Sequence, residues 1–292
     1  MGTLVNGLAN RIVVWGKLVK FSHSVFALPF ALSMLVLVSS EYKVTSIQII
    51  EMVVCIISAR FAAMAFNRFL DRGIDARNPR TSLREIPQGL VKPWEVIALI
   101  LLSSLVFLTF SRLLSPLCGL LAWPVLVVLF GYSYLKRISP LCHIVLGLSL
   151  AVAPGGVWLA ITNEWAWRPV PLMLGVMMWV AGFDVVYALQ DLNFDRDNQL
   201  RSIPETLGER RARILAFLFH VAAVICFLIT GALFAVGTVF WIGLCIFGAL
   251  IATQHITLSV NRNAHIEAMF FLRNGLASVV FFIFTALDVV SR

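Results

Sequence analysis

Aspartate is scarce in this 292-residue chain and unevenly placed. The complete set is Asp71, Asp75, Asp184, Asp191, Asp195, Asp197 and Asp288, and all but Asp288 fall in two short windows. Random placement would give about 0.14 Asp pairs at i, i+4, whereas the chain has two, Asp71/Asp75 and Asp191/Asp195. On a helix that spacing puts both carboxylates on one face. Hard divalent cations take oxygen ligands, and magnesium commonly combines a few carboxylates with the oxygens of a bound phosphate or diphosphate. The chemistry these residues suit is therefore metal-assisted handling of a phosphorylated substrate.

At 100° per residue, Arg60, Met64, Asn67, Asp71 and Asp75 project within about 80° of one another. Asp184, Tyr187, Asp191 and Asp195 gather on one face in the same way. Two acidic ladders facing each other across a cavity are expected. A plainer reading has the acids, with Arg68, Arg72 and Arg77, solvating helix ends. It leaves Asp184 unexplained, because that residue stands in an apolar stretch where an ionised group costs roughly 2.5–3.5 kcal/mol.

The elements that would carry these ladders are membrane-spanning helices. Hydrophobic residues make up 60% of the chain and charged residues 13%, against roughly 45–50% and 25% for a soluble domain. Burying that much apolar surface in water exceeds what one chain of this size encloses. Apolar runs predict nine spans, near 22–40, 46–66, 93–111, 115–134, 141–161, 169–190, 212–235, 238–257 and 267–290. The break between the seventh and eighth is marked by little more than Gly237. The expected fold is an all-α polytopic membrane protein, a single domain over 1–292, with a central cavity opening near the cytoplasmic side.

With the N-terminus inside, 17 of the 23 Lys and Arg lie on cytoplasmic segments and 4 on the opposite side, so the N-terminus and the Asp-rich loops are expected in the cytoplasm. The net charge of +8 follows from this bias and does not indicate nucleic acid. Residues 1–20 lead into an apolar run without a cleavage site, which reads as a retained first span. The five cysteines lack CxxC spacing and the five histidines are scattered, so neither a disulfide framework nor a zinc site is expected. The second and sixth spans each run into a charged, Asp-containing loop four helices apart, which hints at two halves with the site between them.

These residues carry a family resemblance. Asn67-Arg-Phe-Leu-Asp71-Arg-Gly-Ile-Asp75 resembles the NxxxDxxxD signature of the UbiA superfamily of intramembrane prenyltransferases. Asp184-Val-Val-Tyr187-Ala-Leu-Gln-Asp191-Leu-Asn-Phe-Asp195 resembles its second signature, DxxYAxxDxxxD, in the family's order. The resemblance extends to Lys20–Pro29 and to Tyr132-Ser-Tyr-Leu-Lys136-Arg137 through Gly147. Asn78-Pro-Arg80-Thr81 to Pro87, and Tyr187 through Pro204, look like the quinone-pathway branch, whose members attach a polyprenyl tail to an aromatic acid. Two acceptors are open: 4-hydroxybenzoate, of ubiquinone synthesis, and 1,4-dihydroxy-6-naphthoate, of the futalosine route to menaquinone. The latter strings lean toward the futalosine-type group. Arg68 departs from the second acid that many 4-hydroxybenzoate enzymes carry after the Asn, and Leu200-Arg-Ser-Ile203 departs from their Gly-Ile-x-Ser.

The resemblance implies that Asp71 and Asp75 hold one Mg2+ and Asp191 and Asp195 another, with Asn67 adding an amide oxygen. Both ions would bridge the diphosphate of an allylic polyprenyl donor, ionising it for attack by the electron-rich ring. Arg80, Lys136 and Arg137 are candidates to bind the diphosphate, and Arg60 to bind either the diphosphate or the acceptor carboxylate, with Asp184 as its structural alternative. Asp184 and Tyr187 are candidates for the acceptor site; Arg273 and Asn274 are weaker ones. The quinone branch implies a bacterial inner membrane. Rival readings are a transporter that uses the intramembrane acids, a scaffold without chemistry, and a superfamily prenyltransferase with another acceptor.

Overall fold

The computed structural model describes residues 11, 14–19, 28–260 and 266–292. Its elements run α1 (Leu28–Ser39), α2 (Ser46–Arg77), α3 (Pro93–Leu114), α4 (Pro116–Leu135), α5 (Cys142–Thr162), α6 (Val170–Ala188), a 3-10 turn (Leu189–Asp191), α7 (Leu192–Asp197), α8 (Ile203–Leu207), α9 (Glu209–Leu233), α10 (Thr238–Val260) and α11 (Ile266–Val290). Among the described residues eight helices are long and apolar enough to cross a membrane, and α1 is a shorter apolar helix of 12 residues. This is an integral, multi-pass membrane architecture. The nine expected spans thus become eight plus α1, since part of the first, 22–27, lies outside the described residues.

The weakly marked break at Gly237 is a real turn, where Ala235 has φ +48°. Asp288 fixes it: its carboxylate accepts from Gly237 N at 2.8 Å and Phe240 N at 3.1 Å, capping the start of α10. The one aspartate outside the two windows therefore has a structural use.

α2 is the element that matters most for the site, and it runs eleven residues beyond the apolar span near 46–66. A capping box at Thr45 and Gln48 starts it. It ends at Arg77 because Asn78 precedes Pro79, which disfavours α geometry, and Asn78 takes an extended conformation. The window from Asn67 to Asp75 is thereby one continuous helix emerging from the apolar layer.

α2 packs along α3 and against α4, while α6 lies between α5 and α9, and α11 reaches back to α1. The second half is cemented by aromatic rings: Phe30 stands 5.0 Å from Trp179 and 5.4 Å from Phe227, and Phe227 4.8 Å from Phe281. α5 and α6 touch backbone to backbone, because a Cβ at Gly147 would fall 2.2 Å from the Met177 carbonyl oxygen. Gly147→Ala should force these helices apart and cost about 1–3 kcal/mol. Thermal unfolding in detergent checks this, with Gly156→Ala, which has open space around it, expected to leave Tm unchanged.

Candidate active site

A cavity of about 1220 Å³ lies among α2, α3, α4, α5 and α6. Its walls are apolar over most of their length, with Leu121, Val125, Val128, Leu146, Val152 and Met173 among them, and its polar groups collect where α2 and α6 leave the apolar layer. Asn67, Asp71 and Asp75 face it from α2, and Asp184, Tyr187 and Asp191 from the opposite side. The two predicted ladders face each other with the exception of Asp195.

Asp71, Asp75, Asp191 and Asp195 are each matched by a cation. Arg137 Nη2 lies 2.8 Å from Asp71 Oδ1. Arg84 Nη1 donates to Asp75 Oδ1 at 2.7 Å, and the buried Arg68 stands 3.9 Å from Asp75 Oδ2 while its Nε donates to the Leu18 carbonyl. Arg80 forks onto Asp191, Nε to Oδ1 at 2.9 Å and Nη2 to Oδ2 at 2.5 Å, with Asn78 Nδ2 adding a bond to Oδ1 at 3.2 Å. Arg80 Nη1 also donates to the Tyr187 hydroxyl at 2.9 Å. Lys136 Nζ lies 2.8 Å from Asp195 Oδ1. Burial alone would lower the Lys136 pKa, but the adjoining Asp195 carboxylate overrides it and holds the ammonium above the ordinary lysine range. Its charge therefore persists at every physiological pH.

The second ladder is less regular than a straight helix would make it. α6 stops at Ala188, and the 3-10 turn of Leu189–Asp191 advances about 120° per residue instead of 100° before α7 begins. Asp191 consequently meets Arg80 from the far side of the cavity. Asp195 is fully buried beneath the wall against Lys136 and does not line the cavity.

Two expected partners differ. Asp184 is not joined to Arg60: its Oδ2 lies 2.7 Å from His143 Nδ1, and His143 Nε2 accepts from the Ile203 amide at 3.2 Å. Arg60 lines the cavity deeper in α2, seven residues before Asn67 or about 10 Å along the helix axis. Arg273 and Asn274 serve packing between α10 and α11, donating to Thr253 and Thr257 and to Gln254 respectively, away from the cavity. His143, Asn78 and Arg84 were not singled out from sequence. For His143 the available signal was its place at the start of the fifth span, just after Lys136-Arg137.

The donor set suits a hard cation. Asp75 Oδ2 is buried and accepts no hydrogen bond, and Asn67 spends its amide nitrogen on Asp71 Oδ2 and Ser133 Oγ, which leaves its amide oxygen for a ligand. Among the described residues no three Asp, Glu, His or Cys side chains group closely enough to hold an ion by themselves. An ion here would complete its shell with ligand oxygens, as magnesium does with a phosphate-bearing substrate.

Comparison with known proteins agrees with this geometry. The model of the UbiA prenyltransferase family matches residues 27–281. The 4-hydroxybenzoate octaprenyltransferase of Aeromonas salmonicida is 28% identical over 232 residues, 79% of each chain, and that of Pseudoalteromonas translucida 28% identical over 229 residues, 78% of this chain and 77% of the relative. Among solved structures, a UbiA homologue from Aeropyrum pernix K1 superposes with a TM-score of 0.83 at 29% identity, covering 91% of this chain and 98% of the other. A UbiA homologue from Archaeoglobus fulgidus bound to DMAPP and Mg2+ shares the fold, with a TM-score of 0.71 at 15% identity over 95% and 99% of the two chains. Motifs, fold and a family match spanning most of the sequence lead to one assignment: the chain belongs to the UbiA prenyltransferase family.

Proposed function

We propose that this protein transfers a polyprenyl chain from an allylic diphosphate to a ring carbon of a hydroxylated aromatic acid, 4-hydroxybenzoate or 1,4-dihydroxy-6-naphthoate, in quinone biosynthesis. The observation that carries the reading is the meeting of Asp71, Asp75 and Asp191, with their cations, at the mouth of a long apolar cavity. The names of the bacterial relatives support the acceptor class, and the DMAPP- and Mg2+-bound Archaeoglobus homologue supports the donor and the metal. By the charge bias, this polar end faces the cytoplasm of a bacterial inner membrane. The whole chain acts as one domain.

Asp71, Asp75, Asp191 and Asp195, with Asn67, would hold magnesium, which neutralises the diphosphate and makes it a better leaving group. The protein's own cations do the rest of the anchoring. Arg80, Lys136 and Arg137 exchange their carboxylate partners for phosphate oxygens and steady the departing group through charge-assisted bonds. Asp195, paired with Lys136 in the structure, would join the metal-holding set once Lys136 binds phosphate. The donor's C1–oxygen bond breaks, the ring carbon ortho to the hydroxyl bonds to C1, and the ring loses its proton. The apolar walls keep water from the allylic cation meanwhile. Arg60 stands eleven residues, about 16 Å of helix, from Asp71, too far to share one diphosphate with it. It is assigned to the acceptor's carboxylate, and Asp184 and Tyr187 to the acceptor's ring end.

The deciding assay uses membranes containing the protein, a labelled polyprenyl diphosphate and magnesium, with the two acids offered separately and in competition. Prenylated product on one acid, abolished by EDTA and restored by magnesium, is the expected result. Intact donor with both acids, in folded protein, would remove the aromatic-acid assignment.

A further inference from the structure

His143 enters the fifth span as an isolated histidine, yet both of its ring nitrogens are engaged. Its side chain is 4% exposed and lines the cavity beside Asp184. The Ile203 amide can only donate, so Nε2, 3.2 Å away, must be the unprotonated nitrogen. Nδ1 then carries the proton and donates it to Asp184 Oδ2 at 2.7 Å. A doubly protonated ring would set two N–H groups against each other at Ile203. The network thus assigns one neutral tautomer, with a fixed direction: Ile203 N–H to imidazole, imidazole N–H to carboxylate.

The 201–203 segment is stitched to the α4–α5 connection twice more. Arg201 N donates to the carbonyl of Lys136, at the end of α4, at 2.7 Å, and Cys142 Sγ, at the start of α5, lies 3.6 Å from the Arg201 carbonyl. The imidazole is therefore held by backbone rather than by a mobile side chain. Asp184, 26% exposed at its side chain, has one oxygen occupied by His143, and Oδ1 is left for whatever enters the cavity. A carboxylate in an apolar wall accepts strongly from an O–H group and repels a second carboxylate.

We propose that His143 is a positioning residue for acceptor recognition: locked by the Ile203 amide, it orients Asp184 so that Oδ1 accepts the hydroxyl of the aromatic ring. The inference rests on the aromatic-acid reading above and extends it to the feature of the acid that is read here. An O–H donated to a carboxylate enriches the ring in electrons at the ortho carbons, so one contact both selects a hydroxylated ring and raises its nucleophilicity at the carbon to be prenylated. Glutamine meets the same requirement as the neutral imidazole, because its amide offers one donor and one acceptor about as far apart as the two ring nitrogens. Leucine offers neither.

The test is steady-state kinetics on the full-length protein in membranes, varying donor and 4-hydroxybenzoate (or the naphthoate, if that is the acid used) independently. His143→Leu should raise the acceptor KM about 10- to 100-fold, the loss expected for a hydrogen bond to a charged group, and leave the donor KM within about twofold. His143→Gln should bring the acceptor KM back to within about threefold of wild type. The ring acid without the hydroxyl, benzoate or 2-naphthoate, should inhibit wild type and His143→Leu with the same Ki. A purely structural histidine would instead lower the amount of active enzyme and leave both KM values alone, which overturns the proposal. So does a Ki that rises in parallel with KM, since the hydroxyl would then not be what His143 governs. Where His143→Leu does not accumulate, Asp184→Asn reads the same split between acceptor and donor KM. Wild type that uses neither acid defeats the aromatic-acid reading itself, whereas an active wild type with an unchanged His143→Leu defeats only the role of His143.

Discussion

Asp71→Ala and Asp191→Ala are each expected to lower kcat/KM for the polyprenyl diphosphate by about 10³-fold, roughly 4 kcal/mol of transition-state stabilisation. The size follows from what each substitution removes and what it leaves. Asp71 and Asp191 stand on opposite walls of the cavity mouth, so each loss strips one side of the oxygen set that a metal–diphosphate complex would meet. It also leaves Arg137 or Arg80 without its present carboxylate. Asp288→Ala is the matched control. That carboxylate caps the start of α10 and pairs with Arg292 at 2.7 Å, far from the cavity, so its loss should lower Tm and spare kcat/KM per folded molecule. Initial rates with labelled donor, normalised to folded protein, measure both. An Asp71→Ala or Asp191→Ala enzyme retaining a tenth of wild-type kcat/KM would end the metal-ligand assignment.

Arg80→Ala is expected to raise the donor KM about 10- to 100-fold, with Arg80→Lys recovering only part of the loss. Arg80 engages three acceptor atoms at once, both oxygens of Asp191 and the Tyr187 hydroxyl. That forked, planar geometry matches a phosphate as well as it matches a carboxylate, and a lysine ammonium cannot reproduce it. The acceptor KM should move much less, since Arg80 meets the acceptor end of the cavity only through Tyr187. Measuring the two KM values in Arg80→Ala, Arg80→Lys and wild type separates the cases. A donor KM unchanged in Arg80→Ala would mean that the guanidinium serves Asp191 alone.

Much of this was legible in the sequence. A bilayer forces apolar runs of about 20 residues, so span positions could be read to within a few residues. Three of the i, i+4 acids, Asp71, Asp75 and Asp191, stand at the cavity mouth because helical periodicity fixes their face. What periodicity does not carry is which helix lies opposite. The counter-ion Arg84, the amide donor Asn78, the 3-10 turn that separates Asp191 from Asp195, and the pairing of Asp184 with His143 rather than Arg60 all depend on packing between distant segments. The first span resisted for a different reason: α1 contributes only 12 residues of described helix, and its apolar run continues into a part of the chain outside the described residues.

The expectation of a site between two halves of the chain is met only in part, and the remainder has its own consequence. Among the described residues, every side chain lining the cavity falls between Met52 and Leu200, and α9, α10 and α11 contribute none. α9 holds the back of α6 through Phe227 against Gly175 and His220 against Gly182, with α10 and α11 packed beyond it. Among the described residues the surface open to a substrate is therefore confined to about half the sequence, while α9, α10 and α11 face the bilayer, α1 and the back of α6. A substitution in α9, α10 or α11 should accordingly reach the cavity only by displacing α1 or α6.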